Sequence, residues 1–86
     1  MARYELRFAA RVVKDLRGMP KRDVERILRC VRSLQNDPRP PGAKKLAGSE
    51  SYRVRQGDYR IVYSIFDEVL VVEIVQVGHR KDVYRG

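Results

Sequence analysis

The spacing of apolar side chains along the chain predicts its elements in turn. Tyr4-Glu5-Leu6-Arg7-Phe8 alternates apolar and charged residues, the period of a short strand, with Tyr4, Leu6 and Phe8 on one face. The period then changes. Ala9, Val12, Val13 and Leu16 fall at helical spacing across Ala9 to Arg17, and Gly18 stops the run. Lys21 to Gln35 carries the strongest helical signal: Val24, Ile27, Leu28, Val31 and Leu34 make one apolar stripe. Gly18-Met19-Pro20 joins the two as an antiparallel helix hairpin. Arg22, Arg26, Arg29 and Arg32 lie off the stripe and read as a solvated face, and Cys30 beside it reads as a small filler.

Asn36 to Gly42 contains Pro38, Pro40 and Pro41, which remove donors and fix φ, so this stretch is a stiff loop, followed by Lys44 and Lys45. Three strands follow as a meander. Tyr52 to Gln56 alternates, Tyr59 to Phe66 is rich in β-branched and aromatic residues, and Val69 to Val77 is almost continuously apolar, as a central strand buried on both faces would be. Gly78 to Gly86 is a short polar tail. The order β-α-α-β-β-β predicts an α+β two-layer sandwich, with the helix hairpin packed on a mainly antiparallel sheet.

Composition narrows the class. The chain has 86 residues, which predicts one domain over 1–86, and 43% hydrophobic with 35% charged residues is a globular mixture. No apolar stretch approaches the roughly 20 residues that span a bilayer, and Arg3, Glu5, Arg7 and Arg11 interrupt any leader at the start. A lone Cys30 closes no internal disulfide and fits a reducing, cytoplasmic setting. No Walker loop, GxGxxG or HExxH occurs, so no cofactor or metal is expected. A single histidine excludes a two-histidine ribonuclease, and one Cys with one His gives no thiol-protease arrangement.

Charge changes the picture most. Nineteen Lys and Arg stand against 11 Asp and Glu, a net charge of +8, and 14 of the cations are Arg. Forked guanidiniums suit phosphate, which points to nucleic acid or an acidic protein rather than to a membrane surface. Gly57-Asp58 between two strand patterns is a two-residue hairpin signal. It places Gln56 opposite Tyr59, Arg55 opposite Arg60, Val54 opposite Ile61 and Arg53 opposite Val62. One face then carries Tyr52, Val54, Ile61 and Tyr63 toward the helices, and the other carries Arg53, Arg55 and Arg60. Like charges directly opposite one another destabilise a sheet, so this choice makes sense where an anion sits between them. The plainer alternative is an open face whose guanidiniums splay into water, with Glu73 pairing one of them. Lys44, Lys45, His79, Arg80, Lys81 and Tyr84 are further groups expected around this face, suited to a phosphate backbone and stacked bases. Tyr52, Tyr59 and Tyr63 read as core or rim.

The segments YRVRQGDYRIVY (Tyr52 to Tyr63), VGHRKDVY (Val77 to Tyr84) and LQNDPRPPGAKKLAG (Leu34 to Gly48) resemble the RelE/ParE toxin superfamily of bacterial and archaeal toxin–antitoxin systems. The resemblance implies a microbial ribonuclease-like, RelE-like fold. It also implies a cognate antitoxin that wraps the toxin and through which operator DNA can be bound. RelE-type members cut mRNA in the ribosomal A site, against the 16S rRNA surface; ParE-type members poison DNA gyrase and cut nothing. On the resemblance, Arg60 matches the arginine that contacts the scissile phosphate, Arg80 the arginine that stabilises charge or protonates the leaving group, and Tyr84 the tyrosine that stacks on or orients the nucleotide. Arg53 and Arg55 stand where the RelE prototype has two lysines, one of them proposed as general base. A guanidinium does not give up its proton, so Arg55 is not expected to act as that base, and it is expected instead to hold phosphate or to stabilise the attacking 2′-oxygen. His79 is then the expected proton-transfer residue, with Glu50 and Glu73 as the outside candidates. The phosphate-binding set is Arg53, Lys44, Lys45 and Lys81. Beside the endoribonuclease reading stand a gyrase inhibitor without nuclease activity and an inactive antitoxin-binding module.

Overall fold

A computed structural model describes residues 3–79. Seven elements follow one another: β1 (Glu5–Phe8), α1 (Ala10–Arg17), α2 (Lys21–Ser33), β2 (Lys44–Lys45), β3 (Ser51–Gln56), β4 (Tyr59–Phe66) and β5 (Val71–His79). The strands form one five-stranded sheet in the order β1-β5-β4-β3-β2. β1 runs parallel to β5, and the other neighbours are antiparallel. The two helices pack on one face, so the predicted two-layer α+β arrangement is the observed one.

Periodicity explains the packing. The stripe of α2 buries Ile27 and Val31, and Leu34 just beyond its end is fully buried. They meet Val54, Ile61, Tyr63, Val72, Ile74 and Val77 from the covered face of the sheet, and Val12 of α1 completes the cluster. Each aliphatic side chain so buried contributes about 1.5–3 kcal/mol relative to water. Two hydrogen bonds tie the start of β1 to the end of α2: the Tyr4 amide donates to the Gln35 carbonyl (2.9 Å), and Gln35 Nε2 donates to the Tyr4 carbonyl (3.0 Å).

Four details depart from the expectations. Lys44 and Lys45 form a short edge strand on β3 rather than the end of a loop, because the Leu46 amide donates to the Ser51 carbonyl (2.9 Å) and brings the chain alongside. α2 stops at Ser33 rather than Gln35. Val69 and Leu70 lie in the β4–β5 turn, 67% and 38% exposed, and β5 instead continues to His79. β5 itself is an interior strand, flanked by β1 and β4 with none of its residues exposed, as the continuous apolar run predicts. β5 also bulges. Val62 faces Gln76 while the next residue, Tyr63, faces Ile74, so Val75 is the extra residue that a continuous apolar run does not announce.

Candidate functional site

The β3–β4 hairpin carries the cationic residues, and its register is the one the two-residue turn dictates. Gln56 pairs with Tyr59, Arg55 with Arg60, Val54 with Ile61 and Arg53 with Val62. Gly57 adopts φ +61°, the left-handed conformation that the first position of such a turn requires, and Asp58 stays at negative φ. Alternation then sends Tyr52, Val54, Ile61 and Tyr63 to the helices and Arg53, Arg55 and Arg60 to the open face. β2 adds to it: Lys44 pairs with Arg53, and Lys45 with Tyr52. The open face of the hairpin therefore holds two like-charged cross-strand pairs, Lys44·Arg53 and Arg55·Arg60.

These cations differ in freedom. Arg55 and Lys44 are exposed and Arg53 is half-buried. Arg60 is 4% exposed, the buried charged side chain among the described residues. Its register neighbour on β5 is Gly78. A guanidinium held this way presents its donors in a fixed geometry, which is what stabilising a developing oxyanion asks for. The salt bridges found among the described residues join Arg7 to Glu5 and Arg39 to Asp67, so neither Arg53 nor Arg55 is neutralised by a carboxylate there. Glu73 lies on the open face but opposite Ser64 and Arg7, and it does not pair the hairpin arginines. Glu50 is exposed ahead of β3.

The register separates two expected site residues, His79 and Lys45, from this face. His79 pairs with Tyr59, and their rings meet edge to face at 6.1 Å between centroids. Tyr59 points to the helix layer, where its hydroxyl donates to Asp23 Oδ2 of α2 (2.9 Å). His79 therefore sits on the sheet face opposite the arginines, in a cavity of about 210 Å³ shared with Asp23, Arg26, Gln56 and Asp58. It is not placed to move a proton beside Arg60. The hydrogen bond to Asp23 holds the Tyr59 phenol above its ordinary range, so it remains a donor. Lys45, opposite Tyr52, shares Tyr52's face rather than that of the arginines. Adjacent strand residues point to opposite faces, which is why nearness in sequence misleads here. Arg80, Lys81 and Tyr84 lie outside the described residues.

Sequence reasoning passed over a second arginine centre. Arg39, between two prolines, donates from Nη2 to Asp67 Oδ2 (2.8 Å), from Nη1 to Asp67 Oδ1 (3.3 Å) and from Nε to the Tyr52 hydroxyl (3.1 Å). The Tyr4 hydroxyl donates to the same carboxylate (2.7 Å). Tyr52 stacks on Tyr63, and the Tyr63 hydroxyl donates to the Pro38 carbonyl (2.7 Å). The Arg39 guanidinium and the Tyr4 hydroxyl hold Asp67 below the usual carboxylate range. Burial pushes the Tyr63 phenol up to about 12. These contacts pin the proline loop to the sheet.

Among the described residues no group of three or more His, Cys, Asp or Glu is arranged to hold a metal ion. Nor is any described helix long and apolar enough to cross a membrane.

The chain matches the family model of the ParE toxin of type II toxin–antitoxin system, parDE, over residues 6–84. It is similar to Toxin RelG of Mycobacterium tuberculosis, with 34% identity over 95% of this chain and 97% of that protein. Its fold is similar to a chain of the toxin–antitoxin complex RelBE2 from Mycobacterium tuberculosis (TM-score 0.84, 30% identity, 93% of this chain and 94% of that one). It is also similar to a chain of the archaeal RelE–RelB complex from Pyrococcus horikoshii (TM-score 0.81, 32% identity, 93% and 97%).

Proposed function

The chain belongs to the RelE/ParE superfamily of toxins of type II toxin–antitoxin systems, and from that premise we propose that it is a cytoplasmic endoribonuclease that cleaves mRNA in the ribosomal A site. The observation that carries this reading is the Arg55·Arg60 pair: two guanidiniums opposite one another on the open face, one of them buried. The reaction is attack of a ribose 2′-oxygen on the adjacent phosphorus. The P–O5′ bond breaks, leaving a 2′,3′-cyclic phosphate and a free 5′-hydroxyl. Negative charge gathers on the phosphate oxygens in the transition state. Arg60 clamps those oxygens, with Arg55 and Arg53 beside it. On the resemblance, Arg80 stabilises the leaving charge and Tyr84 orients the nucleotide.

His79 pairs with Tyr59 on the other face of the sheet, and neither Arg53 nor Arg55 makes a salt bridge among the described residues. The reading therefore assigns catalysis to electrostatic stabilisation and to alignment of the mRNA by the ribosome. Alignment alone is worth roughly 7–11 kcal/mol. His79→Ala is accordingly expected to keep cleavage within a few-fold of the parent.

The partner is a cognate antitoxin, supported by the RelB complexes that the similar structures form. A groove lined by Phe8, Val13, Leu16, Val24 and Leu28 offers an apolar seat for it, and a charge of +8 makes the association salt-sensitive.

The description of the matching family model favours a second reading, a gyrase inhibitor that cuts no RNA. One experiment separates the two: mapping mRNA 5′ ends after brief induction in growing cells, beside Arg60→Ala. Cuts within translated codons that vanish in the variant establish the nuclease. Intact mRNA with gyrase–DNA adducts establishes the second reading.

A further inference from the structure

We infer that Lys44 and Arg53 form a second phosphate seat next to the Arg55·Arg60 centre, one that grips the neighbouring phosphate of a single RNA strand. This rests on the RNA-cleaving reading and sharpens it: of the two adjacent lysines in the shortest strand of the sheet, Lys44 shares the face of the arginines and Lys45 does not, and the seat it forms with Arg53 takes a second phosphate.

The geometry is set by register. Lys44 lies directly opposite Arg53, so their side chains leave the same face with Cβ atoms about 4.5–5.5 Å apart. Arg53 and Arg55 are two residues apart on β3, about 6.6 Å along the strand. The two like-charged pairs share β3, and a step along it leads from Arg55·Arg60 out to Lys44·Arg53. A single RNA strand carries one phosphate per nucleotide. A strand held at the inner pair passes its next phosphate over the outer one.

The edge is not loose. The Leu46 amide donates to the Ser51 carbonyl (2.9 Å), and the Ala43 amide to the Pro40 carbonyl (3.0 Å). The Tyr63 hydroxyl donates to the Pro38 carbonyl, which anchors the loop that delivers Lys44. Lysine on an edge strand also discourages edge-to-edge pairing, but that role is indifferent to which face the lysine takes. Lys45 supplies the control: it is also exposed, one residue away, and on the face of Tyr52.

The test uses the full chain and 2′-O-methyl RNA, which cannot be cleaved, with binding read by fluorescence anisotropy across a salt series. The probes are a dinucleotide with one phosphate and a trinucleotide with two. For the trinucleotide, Lys44→Gln is expected to reduce the slope of log affinity against log salt by about 0.7, the amount one phosphate contact contributes on a single strand. Lys45→Gln leaves the slope unchanged, and neither variant changes dinucleotide binding. Equal losses in the two lysine variants overturn the seat, since that is a diffuse field. No loss in either, with Arg60→Ala and Arg55→Ala still weakening the dinucleotide, overturns the seat and leaves the nuclease reading standing. If Arg60→Ala and Arg55→Ala weaken neither probe, the reading itself fails and the seat with it. Melting curves of the lysine variants that overlay the parent confirm that the slopes report contacts.

Discussion

Arg39 and Arg55 are both exposed, yet one is surrounded by partners and the other faces a like charge. Arg39 spends its fork on the two oxygens of Asp67 and its Nε on Tyr52, with its guanidinium carbon 5.4 Å from the centre of that ring. Arg55 stands opposite Arg60 across two strands and has no carboxylate within reach among the described residues. The first arginine serves the fold. The second is placed against the interest of the fold, and under the proposed function a phosphate would account for it. The comparison teaches that counting arginines says little, whereas asking what each guanidinium already holds says which are available to a ligand.

The sharpest way to break this division is at Arg60. Arg60→Lys keeps the charge and removes the fork, so it is expected to cut mRNA cleavage about 10²–10³-fold, as loss of an oriented donor does at such sites. Melting should change far less. A variant that cleaves normally breaks the claim that the arginine face is catalytic.

The structural centre should fail in the opposite sense. Tyr63→Phe leaves the buried Pro38 carbonyl without its donor, at a cost of about 1–3 kcal/mol, read from denaturant unfolding. Cleavage per folded molecule should hold. The same residue sets an alkaline limit. In the unfolded chain its phenol ionises near 10, and in the fold near 12, so the unfolded state loses its proton first. Stability is therefore intact below about pH 10 and declines toward pH 12, by about 2–3 kcal/mol. Tyr4 and Tyr59, raised by their hydrogen bonds to Asp67 and Asp23, bend the curve the same way. Tyr63→Phe should make that alkaline limb shallower.

A smaller effect tests the conflict between charge and fold directly. Arg55→Thr removes one member of a like-charged pair and adds a good strand former. It is expected to raise stability by about 0.2–1 kcal/mol at low salt, less at high salt, while cleavage falls. Arg39→Gln should do the reverse, lowering the melting temperature and sparing cleavage.

This division was half legible in the sequence. The arginine face follows from Gly57-Asp58, because a two-residue turn fixes register and register fixes faces. The helices followed from their stripes, and Tyr59 to Phe66 matched β4 end to end. The Arg39 centre was invisible because its partners lie 13, 28 and, through the shared carboxylate, 63 residues apart in sequence. β2 was missed because Lys44-Lys45 has no apolar alternation to read. His79 was misplaced because it adjoins Arg80 in the chain while pairing with Tyr59 in the sheet.

The faintest prediction bears on the same contrast at low pH. Asp67 is held below the usual carboxylate range by Arg39 first and by the Tyr4 hydroxyl second. A depressed carboxylate adds stability above its unfolded value, near 3.9, and that stability is lost as pH falls through its lower value in the fold. The pair is exposed, so water and salt screen most of it. Asp67→Asn should therefore flatten the acid limb of the unfolding curve below about pH 4, lower the neutral melting temperature slightly, and lose even that difference in high salt. Cleavage at neutral pH should not move. If Asp67→Asn depressed cleavage as Arg55→Thr does, the two arginine centres would be one functional unit, joined through Tyr52 and β3, and their separation into fold and function would be wrong.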